Sequence, residues 1–411
     1  GDETLGASAN LLESGLSSGP NRIPDESLDE VWPILAPVFE DSNPTLEHET
    51  QYGGSNMDPF TLSLNTVRGK AAHALVALLI EMARVSGGFD LPLSDRRGIS
   101  GRRELAGMLD RCLDVSREPS LSVRAAIGAR LDLLALIDPK WFEQHQAVLF
   151  VESDQAQREV IFDSYLLWGT IREPLIPLFR DEYLYRASRL SEPPAVTWER
   201  RAPQEALARH AVAMYLHGDI ELDDDLMGLV YDESNRILWS AATARVYLGL
   251  AKRKDPQEPP DSGYIDRAMR LWEWRIYLAN AAASAGDVSN FHPELDGFSH
   301  WVVAGDFEEN WWVGQLARVT ELIGRVELDG PVLDALADVA SRHPLQAARV
   351  ATSLLLHEQW AFLATGHADA FMRIVTAATG SCVPEAISEG RDLANRLVGK
   401  GHDEFGPYAI G

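Results

Sequence analysis

Cysteine is nearly absent: Cys112 and Cys382 are the only two in 411 residues. That excludes a disulfide framework and a cysteine-based zinc site. Both thiols are expected to be reduced, with Cys112 on an apolar helix face. Cations are also scarce, 37 Lys and Arg against 62 Asp and Glu, for a net charge of −25. Binding a phosphate backbone needs clustered cations, so general affinity for DNA or RNA is not expected. Arg96, Arg97, Arg102 and Arg103 form one basic patch, read as a solvated loop. No run of about 18 apolar residues occurs, so no membrane-spanning helix is expected. No signal peptide is recognisable either, which makes the cytoplasm the expected location. Gly1 stands where Met would start a full chain, and the sequence is read as a cut or processed piece. Strand-like alternation is missing over any useful length.

What the sequence has instead is helical periodicity. In Ser63–Val85 the apolar positions Val67, Ala71, Leu75, Leu78, Met82 and Val85 follow steps of three and four, one stripe of a helix. A similar pattern returns over Ser122–Ile137, and helical patterns separated by short polar turns continue to the C-terminal end. Residues 1–26, rich in Gly, Ser and Asn, read as a flexible leader. Ser27-Leu28-Asp29-Glu30 has the form of a capping box. Residues 27–252 read as an N-terminal helical-repeat part, 253–263 as a charged, proline-rich linker, and 264–411 as a C-terminal helical-repeat part. The longest irregular stretch is expected at 285–308. The fold class is all-α, an irregular HEAT/armadillo-like α-solenoid of antiparallel helix pairs.

Chemistry-bearing motifs fail on context. Gly15-Leu16-Ser17-Ser18-Gly19 has the G-x-S-x-G form, but no strand precedes the serine as a nucleophile elbow requires. Asp219, Glu221, Asp223 and Asp225 open like a calcium loop, but Asp224 and Val230 occupy the positions that need Gly and Glu. His292, His300, His343, His357 and His367 show no zinc-ligand spacing. No catalytic or metal-binding residue is assigned, and no cofactor motif is found. The tryptophans stand out. Trp272 and Trp274 share a helix, and Trp301, Trp311 and Trp312 fall in or after the long irregular stretch. Such side chains fill cores between uneven helices, and when exposed they anchor interfaces. The expected partner-binding zone is Trp301, Trp311 and Trp312, with Asp306 and Glu308 as rim charges.

Val67-Arg68 and Val123-Arg124 carry a resemblance. Thr66-Val67-Arg68, followed by small residues and then large aliphatics, resembles the second helix of a HEAT-type repeat. That resemblance implies a structural role for Arg68 and Arg124, each fixing a neighbouring unit through a carboxylate or helix-end carbonyls. Asp58–Ala71 and Arg391–Leu397 resemble segments in the C-terminal helical regions of large bacterial multidomain proteins. Those proteins join an effector or STAND-type NTPase module to a helical-repeat sensor, and many act in antiphage defence. The resemblance implies a sensor or scaffold module that binds a protein, with its enzyme elsewhere, and the net charge of −25 suits a basic partner. The alternative is an enzyme domain with its site near residues 285–312. A pocket of converging polar groups with a perturbed titratable residue would favour an enzyme.

Overall fold

In the computed structural model every regular element among the described residues is a helix, and none is a strand. The structure describes residues 2–16, 22–53, 57–193, 195–196, 198, 202–251, 261–304, 307–356 and 363–409. The chain divides into two compact units, Gly1–His210 and Ala211–Gly411. The linker expected at 253–263 lies mostly outside the described residues; its last two, Ser262 and Gly263, already belong to a helix.

The first unit contains α1 (Asp2–Leu16), α2 (Leu28–Leu35), α3 (Leu46–Gly53), α4 (Pro59–Ser63), α5 (Val67–Val85), α6 (Arg103–Leu113), α7 (Leu121–Gly128), α8 (Leu131–Ile137), α9 (Pro139–Leu149), α10 (Gln155–Trp168), α11 (Ile176–Ala187) and most of α12 (Pro203–His217). Carboxylates and hydroxyls start several of these where the sequence offers them. Asp58 accepts from the Thr61 amide at 2.8 Å, Ser120 from Val123 at 3.2 Å and Asp138 from Trp141 at 3.1 Å. The Ser27 capping box does not form. A 3-10 turn over Asp25–Ser27 leads straight into α2 and leaves Ser27 at φ −101° and ψ 1°, outside the extended geometry a cap needs.

Helix α5 is the centre of this unit, with α1, α2, α4, α6, α7 and α8 packed on it. It is buried nearly all round, beyond the single stripe read from its periodicity. The segment expected to be a flexible leader supplies one of those layers. Leu5, Ala9, Leu12 and Leu16 recur at helical spacing, and Ala9 and Leu16 are buried against α5. Helix α7 packs on α4, α5 and α10. A side chain at Gly128 would place its Cβ 2.3 Å from the Ile161 carbonyl, so this glycine permits the α7–α10 approach. The helical pattern read over Ser122–Ile137 breaks at Ala129-Arg130 into α7 and α8. Cys112 is buried in α6.

The two Val-Arg arginines tie these helices together. Arg68 reaches Glu118 through Nε at 2.7 Å and Nη2 at 3.2 Å, and donates to the carbonyls of Asp41 and Pro44, both at 2.7 Å. Arg124 is wholly buried and meets only carbonyls: Gln157 at 2.8 Å, Leu113 at 3.2 Å, Leu149 at 2.8 Å, and Val148. Leu113 and Leu149 are the last residues of α6 and α9, so one guanidinium satisfies two helix ends. Burial pulls its pKa down to about 10. Further along, Arg186 and Asp163 pair in the core at 2.8 Å, with Trp198 Nε1 donating to the same carboxylate at 3.1 Å.

The second unit begins within α12 and continues with α13 (Asp225–Val230), α14 (Trp239–Ala251), α15 (Ser262–Ser284), α16 (His292–Asp296), α17 (Phe298–Ala304), α18 (Glu309–Ile323), α19 (Asp329–Val339), α20 (Pro344–Leu356), α21 (Leu363–Gly366), α22 (Ala368–Thr379) and α23 (Pro384–Gly399). Two of these correct the expected irregular stretch at 285–308. Pro293 and Gly297 keep α16 and α17 short, yet Phe291, Leu295, Phe298 and Trp301 still form a buried helical stripe. Helices α20, α22 and α23 pack on one another, and the exposed Cys382 lies in the turn before α23.

Candidate functional site

The aromatic segment proposed for partner binding is largely a core. Trp301 is 1% exposed and Trp312 9% exposed. Trp272 stacks on Phe298 with centroids 4.2 Å apart, Trp301 stacks on Phe307 at 5.5 Å, and Phe307 stacks on Trp311 at 5.1 Å. Trp311 is half-buried at the outer end of this series, its Nε1 donating to Glu273 at 2.9 Å. Glu308 is exposed beside it, and Asp306 lies outside the described residues. Close by, Arg275 and Glu294 form a buried ion pair at 2.8 Å. Trp239 and Tyr231 flank that guanidinium, their ring centroids 4.2 and 4.5 Å from it, and Thr243 donates to Glu294 at 2.6 Å. Rings and charges here pack on one another, although Arg275 Nη1, Trp239 Nε1 and Trp272 Nε1 are buried with no hydrogen-bond partner among the described residues.

The converging polar groups lie in the first unit. An open cleft of about 460 Å³ sits between α1, α4, α5, α8 and the end of α10. Its floor comes from α5, where His73, Ala77, Ile80 and Glu81 follow helical steps along one face. Phe60 from α4 and Trp168 from α10 make an aromatic wall, stacked at 4.4 Å with 23° between planes. Trp168 remains 40% exposed, so part of its ring faces solvent. Arg130, exposed at the α7–α8 break, brings a guanidinium to the cleft.

Besides Arg130, three titratable groups line this cleft. The Ser63 hydroxyl donates to the Phe60 carbonyl at 2.6 Å and lies 2.8 Å from His73 Nε2. Its one hydrogen is spent on the carbonyl, so Nε2 carries a proton and donates to Ser63. Burial, aided by the nearby Arg130 charge, pulls the His73 pKa down to about 4, and the ring is neutral near pH 7. Glu13 on α1 is half-buried. Burial raises its carboxyl, against the opposing pull of Arg130 and Lys70. Glu81 accepts from Arg22 and Arg84, both at 2.8 Å.

Ser63 and His73 look like half of a hydrolytic triad, but the geometry points elsewhere. Ser63 is completely buried, its hydrogen faces away from the imidazole, and a ring with a pKa near 4 is a weak base at neutral pH. The pair fixes the join of α4 and α5. Sequence reasoning missed this site because its walls come from five separated segments. The one available signal was His73, the lone polar residue in the apolar stretch Ala71–Ile80, four residues before the small Ala77.

The remaining motifs fall apart in space or lie outside the described residues. Glu221 pairs with Arg267 at 3.0 Å, and Asp224 caps α13 through the Leu226 amide at 2.8 Å. Among the described residues no group of three His, Cys, Asp or Glu side chains could hold a metal ion. Ser17, Ser18 and Gly19 of the G-x-S-x-G pattern, and His357, lie outside the described residues. No helix among them is long and apolar enough to cross a membrane. No family model, curated protein or solved structure matches this chain.

Proposed function

We propose that this chain is a recognition module, and that its recognition site is the α1–α4–α5–α8–α10 cleft of the first unit. The observation that carries this reading is the makeup of that cleft. An open cavity of about 460 Å³ combines a half-exposed tryptophan, the aliphatic Leu16, Ile80 and Leu133 and a few polar groups, as small-ligand sites do. The buried Ser63 hydroxyl and weakly basic His73 favour binding over turnover. The wider reading is a HEAT-like helical array acting as the sensor of a larger bacterial protein, with antiphage defence as its setting and a protein as the recipient of the signal. Arg68 and Arg124, each joining neighbouring helices, support the repeat-like reading.

The test is ligand retention. The purified chain is equilibrated with a small-molecule extract, desalted and examined by native mass spectrometry beside Ala77→Phe, which fills the cleft from α5. Adducts on the wild type that are missing from the folded variant are the expected result. Identical spectra, or a wild type without adducts, would sink the reading.

A further inference from the structure

The cleft also carries information about the chemistry of its occupant. We infer that it binds a planar aromatic anion, with the ring against Trp168 and the negative group at the Arg130 guanidinium. This rests on the reading of the cleft as the recognition site.

Shape comes first. The wall offered by Trp168 is flat, backed by Phe60 and partly open to solvent. Leu16, Ile80 and Leu133 also line the cleft and offer dispersion contacts and no hydrogen bonds. A flat apolar ring matches both surfaces, and about 460 Å³ suits a ligand of two or three rings.

Charge comes second. Both carboxylates of the cleft already have cations to answer them: Arg22 and Arg84, which Glu81 shares with Asp25, and Arg130 and Lys70, which act on Glu13. An incoming ammonium group would compete with two cations at either carboxylate. An incoming anion shares Arg130 with Glu13, and this exposed guanidinium offers a planar fork of donors to a carboxylate, sulfonate or phosphate. Burial of Glu13 works in the same direction, because it favours the uncharged carboxylic acid beside a bound anion. His73 presents a neutral ring and does not oppose either partner.

Two dyes that differ mainly by an anionic group test this. Anilinonaphthalene sulfonate and uncharged N-phenylnaphthylamine are titrated by fluorescence into the full chain, Arg130→Gln and Trp168→Ala. Circular dichroism and thermal melts check that each is folded. Wild type should bind the sulfonate about tenfold tighter than the neutral dye, the size of one charge-assisted contact. Arg130→Gln should erase that preference and leave the neutral dye within about twofold, as expected when one charged contact is lost. Trp168→Ala should weaken both. Should Trp168→Ala lose its fold with the Phe60 stack, Ala77→Phe replaces it, since it blocks the cleft without touching that stack. Equal affinity for the two dyes, reduced by Trp168→Ala but indifferent to Arg130→Gln, would overturn the aromatic-anion inference and keep the cleft as a binding site. Dye binding that neither Trp168→Ala nor Ala77→Phe disturbs, or no binding at all, would overturn both.

Discussion

His73 shows how one side chain links packing to pH. In an unfolded chain it titrates near 6.5, while in the fold burial holds it at about 4. Between those values the unfolded state takes up a proton that the folded state refuses. Its contribution to stability is therefore complete above about pH 6.5 and drains away as the pH falls towards 4. The loss over that window is on the order of 3 kcal/mol. Burial raises the Glu13 and Asp163 carboxyls, which act in the opposite sense, so the measurement is a difference. Urea midpoints of wild type and His73→Gln, followed from about pH 7 to about pH 4, should move relative to each other in favour of the variant. Curves that stay parallel would show that His73 does not titrate this way. Tryptophans make a second residue-scale test. Trp301→Ala opens a cavity beside Trp272 and Phe298 and should cost about 3–5 kcal/mol, read as a large drop in melting temperature. Trp311→Ala, at the half-buried end of the same series, should cost clearly less.

At the scale of elements, the guanidinium of Arg68 holds the start of α5 to Glu118 and to the Asp41 and Pro44 carbonyls. Glu118 is itself buried, so Arg68→Ala leaves a carboxylate without its partner and should lower stability by about 1–3 kcal/mol in denaturant titration. An unchanged midpoint would show the contact to be dispensable. Much of this level was legible in the sequence. The periodicity of Val67–Val85 and the all-helical class could be read directly, because each depends on neighbours within a few residues. Helix α1 was not, since its Leu5–Ala9–Leu12–Leu16 stripe is diluted by Gly and Ser, and only its packing on α5 makes it count. Helices α16 and α17 were hidden for a related reason: Pro293 and Gly297 punctuate them, while the buried aromatics that hold them find their partners on α15. The cleft was illegible because Glu13, Phe60, His73, Arg130 and Trp168 share no local pattern, and tertiary packing alone brings them together.

At the scale of the whole molecule, the charge of −25 sets a background that no local pair removes. Like charges repel across the folded chain more than across an expanded one, which costs stability at low ionic strength. Raising salt from about 0.01 M to about 0.15 M shortens the screening length from about 30 Å to about 8 Å. The melting temperature should rise over that range. A fall would mean that surface ion pairs such as Arg342–Glu309 and Arg373–Asp338 outweigh the repulsion.

The two thiols give this molecule an internal clock. Cys382 is exposed, whereas Cys112 sits inside α6 with burial pushing its thiol upward, away from the reactive thiolate. Under native conditions iodoacetamide should alkylate Cys382 at the pace of a free thiol and reach Cys112 only when α6 lifts from its neighbours. The ratio of the two rates, read by mass spectrometry, converts directly into the free energy of that opening. A cleft ligand that braces α5, on which α6 packs, should slow the second reaction and leave the first untouched.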